Sequence, residues 1–96
     1  MKVKFALSLA GHDRGRYYVL LEEHREEGYV LLADGLRKPM EQPKRKNFRH
    51  IQVIGRLPCE TAQFLEGEEV LTDLVIRRAL KLYAAHRKAG EEEIES

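Results

Sequence analysis

The sequence predicts a mostly-β domain: five short strands closing into a small barrel, with a C-terminal α-helix packed on its outside. Three observations predict it. Apolar residues alternate with polar or small ones in the first segment. Short apolar segments then recur at close spacing, separated by glycine- and aspartate-bearing turns. One stretch near the C-terminus switches to helical spacing. Period two is the strand signal, and spacings of three and four are the helical one. Segments this close together leave no room for a crossover helix, which argues against βαβ units.

Val3, Phe5, Leu7 and Leu9 alternate with Lys4, Ala6 and Ser8, giving a strand with one buried face. Gly11-His12-Asp13-Arg14-Gly15 interrupts it with turn-forming residues, and Asp13 is expected to accept hydrogen bonds from nearby backbone amides. Arg16 to Glu22 resumes as a second strand, apolar on both faces: one serves a barrel interior and the other needs a cover. A charged connection ending in Gly28 leads to a third strand, Tyr29 to Ala33, likewise apolar on both faces. Asp34-Gly35 is a hairpin signal, since glycine takes positive φ at little cost. A short fourth strand is expected around Leu36 to Met40, then a basic loop from Glu41 to Arg49, then a fifth strand from about His50 to Ile54.

The cover is the C-terminal helix. Thr72 is a suitable N-cap, Asp73 suits the first turn, and Val75, Ile76, Ala79, Leu80, Leu82 and Tyr83 form an apolar stripe. Gly90 is expected to end the helix, with Glu91 to Ser96 a frayed acidic tail, and residues 59–66 to add a short helical turn. The barrel is assigned to residues 1–58, and 59–96 is a helical extension of the same domain.

Ninety-six residues, 43% hydrophobic and 34% charged, suit one domain with one modest core rather than a disordered tail. Apolar runs such as Tyr29 to Ala33 are far too short to span a bilayer, and the short apolar stretch after Met1 is not expected to act as a secretory signal. The single Cys59 excludes an internal disulfide, and the histidines at 12, 24, 50 and 86 do not share metal-ligand spacing with it. No cofactor or metal, no membrane and no small-molecule substrate is expected, and a cytoplasmic location is.

The net charge of +1 conceals an asymmetry: residues 1–58 hold twelve Lys/Arg against seven Asp/Glu, and residues 59–96 hold five against nine. Between Arg37 and His50, Glu41 alone opposes Arg37, Lys38, Lys44, Arg45, Lys46 and Arg49. So dense a cluster raises the local potential and attracts phosphates, with arginine able to fork two hydrogen bonds onto one group. Arg77, Arg78, Lys81 and Lys88 lie opposite the helix's apolar stripe and read as a solvated face.

The stretch from Ser8 to Leu20, with its glycine loop at Gly15, resembles a KOW motif. Ala33 to Pro39 and Pro43-Lys44-Arg45-Lys46-Asn47-Phe48-Arg49-His50-Ile51 extend the likeness. Together they resemble small bacterial KOW-domain RNA-binding proteins, themselves similar to KOW-bearing large-subunit ribosomal proteins of archaea and eukaryotes. The resemblance covers roughly residues 4–54, and it implies an SH3-like barrel that binds RNA, often ribosomal. KOW domains also bind other proteins of the translation and transcription machinery, which is the alternative partner.

The expected function is therefore non-catalytic binding of structured RNA, ribosomal RNA or the large subunit first. Arg14, Arg16, Lys44, Arg45, Lys46 and Arg49 are the expected phosphate contacts. Asn47 and His50 add secondary polar ones, and Phe48 is assigned to the core. An enzyme fits poorly: there is no phosphate-cradling glycine loop, and adjacent His12 and Asp13 side chains would diverge rather than pair.

Overall fold

The computed structural model describes the chain through Glu95 and side chains through Ala89. Its strands are β1 (Lys4–Ser8), β2 (Tyr17–His24), β3 (Tyr29–Ala33), β4 (Lys44–Asn47) and β5 (Ile51–Ile54). A 3-10 turn (Phe48–His50) joins the last two, and α1 (Cys59–Glu66) and α2 (Asp73–Glu95) follow. They form one open antiparallel sheet in the order β4-β3-β2-β1-β5.

The sheet must curl. Laid flat, its edge strands would sit about 19 Å apart, four spacings of about 4.8 Å. The chain passes from Asn47 at one edge to Ile51 at the other through the 3-10 turn alone. Those residue steps reach at most about 13–14 Å when fully extended, and less in a turn. A register shift between Leu20 and Glu22 in β2 adds bend. Among the described residues no ladder joins β4 to β5, so the barrel expected from the sequence is not closed by backbone pairing.

Strand alternation builds two apolar layers. Ala6, Tyr18, Val30, Leu32 and Ile51 fill the concave side, with Leu20, Phe48 and Val53 packed against them. Phe5, Val19 and Ala33 face the convex side, where Leu65 of α1 and Val75, Ile76, Ala79 and Tyr83 of α2 cover them. Tyr83 sets its ring edgewise to Phe5 and Tyr17, with centroids at 5.2 and 5.1 Å. The Thr72 hydroxyl accepts from the Val75 amide at 3.2 Å and so caps α2. Asp73 Oδ1 accepts from the Met40 amide at 2.9 Å, tying the preceding loop to the helix start.

Three expectations need correction. No strand forms at Leu36 to Met40. Asp34 Oδ1 accepts from the amides of Leu36 and Lys38 at 2.9 and 2.8 Å, which winds the segment into a turn, and Leu36 is 70% exposed. The fourth strand lies instead inside the expected basic loop, at Lys44–Asn47. Finally, α2 runs through Gly90 to Glu95, while Ser96 lies outside the described residues. Among the described residues no helix is long and apolar enough to cross a membrane.

Candidate nucleic-acid interface

The turn between β1 and β2 is held by its own backbone. Gly15 donates to Ser8 at 2.9 Å, Ser8 to Arg16 at 2.9 Å and Arg16 to Asp13 at 2.9 Å. Gly11 and Gly15 have φ of 87° and 89°, the left-handed region that glycine enters without a Cβ penalty. This geometry turns Asp13 inward, where it is buried, while His12, Arg14 and Arg16 remain exposed.

Asp13 serves a different purpose from the one its turn suggests. Its carboxylate accepts from Ser8 Oγ at 2.9 Å, the Tyr18 hydroxyl at 2.8 Å and Lys46 Nζ at 2.5 Å, all side chains rather than turn amides. Lys44 Nζ stands 3.2 Å from its other side. Burial pushes the Asp13 carboxyl upward, but the hydrogen bonds from Lys46, then Tyr18, Ser8 and Lys44 outweigh it and hold the group well below the usual carboxylate range. Burial, together with the bond to Asp13 and its charge, pushes the Tyr18 hydroxyl above its ordinary value.

The strand at Lys44–Asn47 distributes its basic run over two faces. Lys44 and Lys46 register with Leu32 and Val30, which face the concave core, and Arg45 registers with Leu31. Lys46 therefore points inward. It is 9% exposed and donates to the Ala10 carbonyl at 2.7 Å as well as to Asp13, bonding the edge strand to the β1–β2 turn. This removes Lys46 from the groups that can reach an external phosphate. Arg45 emerges on the opposite face, its guanidinium 3.7 Å from the Tyr29 ring centroid. The Asn47 side-chain oxygen accepts from the Arg49 amide at 2.9 Å and so starts the 3-10 turn.

Arg49 and His50 are exposed on that turn, and the Leu9 amide donates to the His50 carbonyl at 2.8 Å. The 3-10 turn and the entry to the glycine-bearing turn are thus neighbours. Arg14, Arg16 and Lys44 come to the end of the sheet that carries the glycine-bearing turn, without Arg45 and Lys46. The 3-10 turn bearing Arg49 runs from the opposite hairpin, where the Phe48 amide donates to the Gly28 carbonyl at 2.9 Å, to this end at His50. Sequence reading left Arg37 and Lys38 out of the site. With Arg16 and Lys44 they line a cleft of about 200 Å³, which His12, Asp13, Tyr18 and Asp34 complete. The signal for them was the Asp34-Gly35 turn, which bends the chain back so that the next two cations reach the same end. Among the described residues Arg14, Arg16, Arg37, Lys38 and Arg49 have no carboxylate within ion-pair distance.

Comparison with known proteins matches no family model and no curated relative.

Proposed function

We propose that this protein binds structured RNA without catalysing a reaction, with ribosomal RNA or the large ribosomal subunit in the cytoplasm as its target. On the same reading the fold is an SH3-like barrel of the KOW type. The strand order, the 3-10 turn linking the two edges and the left-handed Gly15 support that reading.

The observation that carries the functional reading is the convergence of Arg16, Arg37, Lys38 and Lys44 from two loops and an edge strand onto one cleft, with Arg14 exposed on the same turn and Arg49 exposed on the 3-10 turn. All of these cations but Lys44, which contacts Asp13, are exposed without a carboxylate partner among the described residues. Together they create a potential that attracts the phosphate backbone, and a rigid curled sheet fixes how that backbone docks.

Anisotropy titration with a labelled ribosomal RNA fragment tests this. Neutralising five phosphates should lower affinity roughly 100-fold between about 50 and 200 mM salt. Replacing Arg14, Arg16 and Arg49 together by glutamate should abolish binding while leaving the circular dichroism spectrum intact. Salt-insensitive binding, or a folded triple variant with native RNA affinity, would reassign the surface to a protein partner.

A further inference from the structure

We infer that the cleft between the β1–β2 turn and the 34–38 turn is a seat for one phosphate group, monoester or diester, with Lys44 as its aimed donor. The inference rests on the RNA reading only for the identity of the molecule that carries the phosphate.

The cleft's size restricts its ligand. At about 200 Å³ it falls below the roughly 300–1,000 Å³ of pockets that enclose small organic molecules. One tetrahedral oxyanion and a few waters, at about 30 Å³ each, can fill it. Its charge is the second restriction. Arg16, Arg37, Lys38 and Lys44 line it from three separate segments.

The carboxylates in the lining are already engaged. Asp34 Oδ1 accepts the amides of Leu36 and Lys38, and Asp13 is neutralised by Lys46 beneath it. What the cleft presents to solvent is therefore net positive, an arrangement that favours an anion.

Lys44 is the most informative of these residues. Asp13 is already served by Lys46, Tyr18 and Ser8, and Lys44 makes the longest of its contacts, at 3.2 Å. The ammonium has three N–H donors, so the contact with Asp13 leaves others for the cleft. Asp13 thereby acts as a positioning residue. It holds an otherwise flexible side chain in place, so a ligand bears less of the ordering cost that a free lysine would impose.

The test is a nuclear magnetic resonance titration of the full chain with inorganic phosphate, then with one short RNA carrying either a 5′-phosphate or a 5′-hydroxyl. Phosphate should shift amides of 12–16, 34–38 and Lys44. Lys44→Met and Arg37→Gln should each weaken phosphate binding at least about tenfold, as expected for loss of a charged hydrogen bond. Lys44→Met keeps Lys46 on Asp13 and Arg37 is exposed, so both variants should fold; Lys81→Gln on α2 is the neutral control. Preference for the 5′-phosphate RNA identifies a terminal monoester, and equal binding identifies a backbone diester. Shifts spread over all basic segments and unaltered by both substitutions overturn the seat. If phosphate titrates the cleft but RNA does not bind the wild type, the seat stands and the RNA reading falls; RNA binding without the cleft shifts gives the reverse.

Discussion

Replacing Lys46 by methionine tests the central bond of the site. The substitution keeps an aliphatic stem of similar length and removes only the ammonium that bonds Asp13 Oδ1 and the Ala10 carbonyl. Breaking a buried ion pair by deleting one partner costs about 3–5 kcal/mol, because the remaining charge stays buried without its counter-ion. Here Tyr18, Ser8 and Lys44 continue to donate to Asp13, which places the loss near the lower end, about 3 kcal/mol. Since small domains have roughly 5–15 kcal/mol in total, urea unfolding followed by circular dichroism will resolve the change easily. Adding Asp13→Asn removes the orphaned charge, and the double variant should recover about 2 kcal/mol of the loss. If Lys46→Met costs under about 0.5 kcal/mol and weakens RNA binding as strongly as loss of an exposed cation, Lys46 faces ligand and the structural assignment fails.

Acid sensitivity follows from the same group. Asp13 is depressed in the fold, so its stabilisation is complete above the unfolded carboxylate value of about 3.9 and fades as pH falls below it. Urea midpoints measured from about pH 6 to pH 2 should therefore fall less in Asp13→Asn than in the wild type. Gly35→Ala should cost at least about 2 kcal/mol, read as a drop in Tm, because φ of 78° strains any L side chain and a Cβ would lie 2.9 Å from Arg77 Cγ. Arg45→Glu should change RNA affinity less than about threefold, whereas Arg16→Glu should reduce it at least about tenfold, in the same anisotropy assay.

Most of the architecture could be read from apolar periodicity. Val19 and Ala33 on one side and Tyr18 and Leu32 on the other are the alternation expected of strands covered twice. By contrast β1, expected to bury one face, buries both Phe5 and Ala6 because the curl covers its second side. Thr72 and the stripe through Ile76 and Tyr83 marked α2 correctly. The fourth strand was not legible, because Lys44-Arg45-Lys46-Asn47 has no apolar residue to alternate. A lysine fills the inward position, and its burial depends on an acid 33 residues away. Leu36 misled in the opposite direction: it is an apolar side chain on a turn fixed by the Asp34 carboxylate. The candidate site was half legible for the same reason. Residues whose placement follows from turns, such as Arg14, Arg16 and Arg49, are exposed as turn residues are. Adjacent basic residues in one strand were counted as one patch although the pleat separates them.

That separation governs how much charge the site offers a ligand. Lys46 and Asp13 cancel inside the fold, and Arg45 lies over Tyr29 on the other face, so neither the full basic run nor the net charge of the N-terminal half measures the interface. The cations left for a ligand on the loops and the edge strand are Arg14, Arg16, Arg37, Lys38, Lys44 and Arg49. Full engagement of that set with single-stranded or looped RNA sets a limiting salt slope of about −4, at about 0.7 per phosphate. A steeper slope requires cations beyond this set, and α2 can supply them from the exposed Arg77, beside Gly35 of the 34–38 turn, and from Arg78 and Lys81. A slope at or below the limit, lost when the loop arginines are reversed and unaffected by reversal on α2, confines recognition to the loops that the Asp13–Lys46 bond holds together.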